Sequence, residues 1–144
     1  MILCADDNPL DVDLLLLAFA EIELEPRIDV VRDGQEALDY LQYEGAYVDR
    51  PKAIPEAIIL DIKMPKLDGI EVLKVIRYLP ELENVPIIML TSSEMMQDIK
   101  ACYEYGVNAY VVKPIDFDEF IVMVRSVRNF WTFLNRQKAR LGVG

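Results

Sequence analysis

The sequence predicts an α/β fold in which five parallel strands alternate with five helices in a doubly wound sheet of strand order 2-1-3-4-5. Three observations carry that expectation. Short apolar runs bounded by turn residues alternate with longer segments of helical period, the pattern of a parallel sheet. Ala57-Ile58-Ile59-Leu60 and Ile87-Ile88-Met89-Leu90 are apolar on both faces, as central strands covered by helices must be. The runs and periodic segments together make five strand–helix units, and a ligand site in such a sheet lies beyond the carboxyl ends of the strands, next to the switch point.

Taken in order, residues 2–5 are the first strand, and Asn8 followed by Pro9 caps and opens a helix over 9–21. Arg27-Ile28-Asp29-Val30-Val31 alternates, which marks 27–31 as an edge strand. Asp33-Gly34 opens a second helix over 34–43, and the connection from Glu44 to Glu56, with Pro51 and Pro55, reads as a surface loop. The third strand is 57–60, followed by a helix over 68–79 that Leu79-Pro80 closes. The fourth is 87–90, and Gly106 closes a helix over 94–105. The fifth strand is 109–112. In the last helix, 116–137, Phe120, Val124, Val127 and Trp131 recur at i, i+4, i+7 and i+11, a stripe expected to pack on the sheet and continue past its edge.

A chain of 144 residues with 53% hydrophobic and 28% charged residues has the balance of one globular domain, and it holds no repeat or linker that would divide it. The formal net charge of −10 argues against a nucleic-acid binder, because such proteins draw most of their affinity from Lys and Arg at phosphates. The longest apolar run, Leu14 to Ala20, is too short to cross a bilayer, and no basic segment opens the chain. No membrane role is expected, and the expected location is the cytoplasm. With no histidine and no paired spacing, Cys4 and Cys102 are expected to be inert thiols, not metal ligands.

Asp6 and Asp7 end the first strand and Asp61 ends the third, so the strand order brings three carboxylates together at one edge. Unpaired carboxylates a few ångströms apart raise each other's pKa unless a cation sits among them, and a hard, oxygen-seeking ion such as Mg²⁺ suits them. Acids near helix starts can also do no more than cap backbone N–H groups, which for Asp6 or Asp7 alone is an equal alternative. Asp61 resists that explanation because it follows four apolar residues and precedes a loop. Thr91 ends the fourth strand and Lys113 the fifth, ahead of Pro114. A lysine there supplies a positive partner for a phosphoryl oxygen, and a threonine hydroxyl can bond another. Neither is informative alone; five such residues at strand ends are.

These residues resemble the receiver domains of bacterial response regulators, which have a flavodoxin-like fold, from Met1 to about Val127. The matching pieces are Asp6-Asp7-Asn8, Asp61-Ile62-Lys63-Met64-Pro65-Lys66-Leu67-Asp68-Gly69, Leu90-Thr91-Ser92 and Val112-Lys113-Pro114. Asn8-Pro9, the long loop before the third strand and Phe130-Trp131 in an extended last helix bring the chain nearer to single-domain regulators that partner phytochrome-type histidine kinases. The resemblance implies that Asp61 takes phosphate from a kinase histidine as an acyl phosphate. It implies that Asp7, Asp61 and the Lys63 backbone carbonyl bind Mg²⁺ directly and Asp6 through water. It further implies that Lys113 contacts the phosphoryl group, that Thr91 moves toward it on activation while Tyr110 swings inward, and that Pro114 follows a cis bond. Such a domain is a phosphoacceptor that assists its own phosphoryl transfer and dephosphorylation, not a turnover enzyme.

A haloacid-dehalogenase-type phosphatase also uses an aspartyl phosphate, but it needs a second acid where Lys63 stands. A flavodoxin-like flavin carrier needs a Ser/Thr/Gly-rich phosphate loop, and Asp6-Asp7 would repel a phosphate there. The stronger alternative is a receiver-shaped interaction module that works without phosphorylation; such members usually lack one of the acids, the threonine or the lysine, and this chain keeps all of them. With no effector domain in this sequence, the signal is expected to leave through protein contacts. Val12, Leu15 and Phe19 form the inward stripe of the first helix and leave Leu17 off it, which on its own is no more than an ordinary exposed leucine; because the receivers that this chain resembles dock their histidine donor against this helix, the resemblance makes Leu10 and Leu17 candidates for the kinase contact. In the last helix Val122, Phe130 and Phe133 lie off the main stripe, and a homodimer through this helix is expected to bury its aromatics, against the alternative that they fold back on their own domain.

Overall fold

A computed structural model describes residues 1–22 and 26–142. Strands β1 (Ile2–Ala5), β2 (Ile28–Val31), β3 (Ala57–Leu60), β4 (Ile87–Thr91) and β5 (Ala109–Val112) form one parallel sheet in the order β2-β1-β3-β4-β5, as the sequence predicts. The helices are α1 (Pro9–Ala20), α2 (Gly34–Gln42), α3 (Gly69–Ile76), α4 (Met96–Glu104) and α5 (Phe117–Arg140). Alternation along the strands sorts the core into two layers. Leu3, Ile58, Leu60, Ile87 and Met89 join residues of α2, α3 and α4, while Ile2, Cys4, Ile59, Ile88 and Leu90 join residues of α1 and α5. Every residue of β1, β3 and β4 is buried, and β2 and β5, at the edges, are partly exposed.

Side chains start four of the five helices. Asn8 accepts from the Leu10 and Asp11 N–H groups, and Asp33, Asp68 and Asp116 accept from Glu36, Glu71 and Glu119. Gly69 is required where α3 meets the end of β3: a β-carbon there would stand 2.0 Å from the Asp61 carbonyl oxygen, to which no side chain can approach so closely.

Helix α3 ends three residues before Leu79. Pro80 disfavours helical backbone at Leu79, and the Tyr78 and Leu79 N–H groups bond the Val75 and Ile76 carbonyls, tightening the chain into a 3-10 turn over 80–82. Helix α5 runs beyond residue 137, to Arg140, because its end is tied down: Asn135 donates to the Glu56 carbonyl at 3.0 Å and Lys138 to the Asn84 carbonyl. Trp131 belongs to the protein's own core, 1% exposed and stacked on Phe19, while Val122, Phe130 and Phe133 remain exposed. The connection before β3 contains a 3-10 turn over 45–47, and Arg50 lies over the Tyr40 and Tyr43 rings while donating twice to the Tyr40 carbonyl. No described peptide bond is cis, so Lys113–Pro114 is trans where the resemblance implied cis; trans is the form X–Pro bonds favour by about 0.5–1 kcal/mol on their own. No helix among the described residues is long and apolar enough to cross a membrane.

Candidate functional site at the carboxyl edge of the sheet

The Asp6 N–H donates to the Val31 carbonyl at 3.1 Å and the Asp61 N–H to the Ala5 carbonyl at 2.9 Å, so both residues continue the ladder one step past their strands. Their carboxylates leave the sheet side by side. Asp6 and Asp61 are 5% and 6% exposed, whereas Asp7 is open to solvent. One oxygen from each of the three lies within 4.8 Å of the others, a set of hard donors that fits a small divalent cation. Asp61 also accepts from the Ile62 N–H at 2.7 Å and Asp6 from the Asn8 N–H at 2.9 Å.

Lys113 reaches this cluster from the end of β5. Its ammonium stands 2.6 Å from Asp61, 2.7 Å from Asp11 and 2.9 Å from Asp6, with only 7% of the side chain exposed. Burial by itself would lower the lysine pKa, but hydrogen bonds to Asp11, Asp61 and Asp6 outweigh it and hold the pKa above its ordinary value. The Asp6 carboxyl is pushed up, chiefly by burial, against the opposing pull of the Asn8 N–H and Lys113. Four carboxylates around one ammonium leave an excess of negative charge. A cation would relieve it.

Thr91 is 1% exposed, and its carbonyl accepts from the Lys113 N–H at 2.8 Å, which ties the two strand ends together. Its hydroxyl oxygen accepts from the Ser93 N–H at 3.4 Å. Tyr110 donates its hydroxyl to the Ser93 carbonyl at 2.9 Å, so the aromatic on β5 is fastened to the loop that follows Thr91. The Lys63 side chain is exposed. The structure thus gathers Asp6, Asp7, Asp61 and Lys113 directly, with Thr91 and Tyr110 one loop away.

The chain matches the response regulator receiver domain over residues 2–125. It belongs to that family. This receiver is 34% identical over 131 residues to response regulator Rcp1 of Synechocystis sp., an alignment covering 91% of this chain and 88% of that protein. Among solved structures, the phosphorylated cyanobacterial phytochrome response regulator RcpA superimposes with a TM-score of 0.83 at 34% identity, covering 91% and 92% of the two chains. The bacteriophytochrome response regulator RtBRR is 45% identical, with a TM-score of 0.74 and coverage of 84% of this chain and 73% of that one. The Mn(2+)-bound form of Rcp1 is also similar, at 34% identity, a TM-score of 0.81 and coverage of 90% and 92%. Receiver domains of response regulators bind divalent metal and interact with histidine kinases.

Asp11 is one of two site residues that the sequence leaves unmarked in this receiver. It sits in the first turn of α1, and helical side chains tilt toward the amino terminus of their helix, which aims that turn back at the strand ends. That tilt was the available signal. Ser93 is the other: its hydroxyl donates to Asp98 at 2.6 Å while its carbonyl receives Tyr110.

Proposed function

We propose that the chain is a single receiver domain working as a phosphorylation-dependent switch: a histidine kinase transfers a phosphoryl group to Asp61 in a Mg²⁺-dependent reaction, and the phosphorylated protein signals through protein contacts in the cytoplasm. The observation that carries this reading is the buried Lys113 ammonium 2.6 Å from Asp61, beside three carboxylates whose oxygens lie within 4.8 Å of one another. A carboxylate oxygen of Asp61 forms the bond to phosphorus as the P–N bond to the donor imidazole breaks, and the leaving nitrogen takes up a proton. Lys113 neutralises charge on a phosphoryl oxygen, and the Thr91 hydroxyl donates to another. Asp7, Asp61 and the Lys63 carbonyl would hold Mg²⁺, with Asp6 acting through water; when bound, the ion supplies charge neutralisation at the phosphoryl oxygens. The chain thereby assists its own phosphorylation and dephosphorylation without being a turnover enzyme.

The names of RcpA and RtBRR support a phytochrome-type kinase as the donor. Exposed Val122, Phe130 and Phe133 on α5 favour a homodimer through that helix. Light scattering of Phe133→Glu tests the dimer better than truncation, because shortening α5 before Trp131 would open the core. The principal test is the intact mass after exposure to acetyl phosphate. One phosphoryl group is expected with Mg²⁺ and none in Asp61→Asn; an unmodified wild-type mass would favour a phosphorylation-independent interaction module.

A further inference from the structure

We propose that Asp11 is a positioning residue that holds the Lys113 ammonium at the phosphoacceptor, an inference that rests on the reading of Asp61 given above. An ammonium has three N–H donors, and here it donates to Asp61 at 2.6 Å and to Asp11 at 2.7 Å while pairing with Asp6 at 2.9 Å. Two of those partners have another claim on them. Asp6 and Asp61 also belong to the cluster of oxygens suited to a divalent cation, and Asp61 is the group to be phosphorylated. Asp11 stands outside that cluster. It is the one partner that can keep its bond to Lys113 through the reaction.

Its own placement is fixed. Asn8 caps α1 by accepting from the Leu10 N–H at 3.0 Å and the Asp11 N–H at 3.3 Å, so the turn carrying Asp11 is anchored to the end of β1. The Asp11 side chain is 24% exposed and the lysine 7%, which limits competition from water. A lysine stem has several rotatable bonds, and the fixed carboxylate restricts the volume its ammonium explores. Loss of that restraint reduces the fraction of complexes with Lys113 aligned on the phosphoryl oxygens, and so acts on the maximal rate. The lost negative charge acts differently, by repelling an anionic donor less, and so appears in the half-saturating concentration.

The test compares Mg²⁺-dependent labelling by acetyl phosphate in wild type, Asp11→Asn, Asp11→Glu, Lys113→Ala and the Asp11→Asn/Lys113→Ala double variant. Asp11→Asn is expected to lower the maximal rate on the order of tenfold, with an unchanged or smaller half-saturating concentration, and Asp11→Glu to recover most of the loss. In the Lys113→Ala background Asp11→Asn is expected to cost nothing further. Nitrogen-detected NMR in saturating Mg²⁺, where the ion competes for Asp6 and Asp61, reads the tether without phosphorylation: a slowly exchanging Lys113 ammonium signal in wild type should be lost in Asp11→Asn. An unaltered maximal rate, an equal loss without the lysine, or an unchanged ammonium signal would overturn the proposal. A wild type that takes no label would instead overturn the reading of Asp61, and the ammonium signal would still decide the tether.

Discussion

At the amino ends of the strands, Lys138 bonds the Asn84 carbonyl, and Arg77 donates to the Gly106 carbonyl at 2.6 Å and to the Asn108 side-chain oxygen at 3.3 Å; both cations end on neutral oxygens. At the carboxyl ends, Lys113 ends on three carboxylates. The pKa directions follow the partners. Burial lowers Arg77, and burial followed by the nearby Arg77 charge lowers Lys138, whereas in Lys113 hydrogen bonds to acids overcome burial. One end satisfies orphan carbonyls and fastens α5 to the domain. The other keeps like charges packed together, an arrangement that costs stability and that a bound divalent cation would relieve.

The largest effect should follow from denying the carboxyl end its metal. Chelation is expected to slow acetyl-phosphate labelling on the order of 100-fold or more while the protein stays folded; a rate indifferent to chelator would break the contrast. At the opposite end, Trp131→Ala should cost about 3–5 kcal/mol of stability in urea, because it removes a buried ring stacked on Phe19. The protein that remains folded should still be labelled at the wild-type rate.

Smaller but more diagnostic is the linkage of metal to stability. Mg²⁺ at about 100 times its dissociation constant should add about 2.7 kcal/mol to wild type, and Asp7→Asn should lose that gain. Without metal, Asp7→Asn should be no less stable than wild type, since it relieves repulsion; a clear destabilisation would mean that Asp7 supports the fold. The smallest effect concerns neither end. Burial, then a hydrogen bond to Glu36, pushes the Tyr47 hydroxyl from 10.0 up to about 12. A folded-state value above the unfolded one gives stability that is complete below pH 10 and declines as pH rises toward 12. Urea midpoints should fall over that range, and less so in Tyr47→Phe.

The sheet order and both core layers were legible because buried parallel strands must be apolar on both faces, and the runs at 57–60 and 87–90 are. The gathering of Asp6, Asp7, Asp61 and Lys113 was legible too, since topology alone brings those strand ends together. Asp11 was not, because its relevance depends on the tilt of a helical side chain across the chain to β5. Nor was the fate of Trp131. A periodic stripe records which face of α5 is apolar, but the turn at which that face leaves the domain depends on where Phe19 lies to receive the ring.

Chemical mapping of the modified residue tests the central claim most directly. Phosphorylated protein reduced with borohydride should yield a peptide in which residue 61 has become homoserine, the product of an acyl phosphate on Asp61. Homoserine at another acid, or none from protein that carries the added phosphoryl mass, would contradict the assignment of Asp61 as the phosphoacceptor.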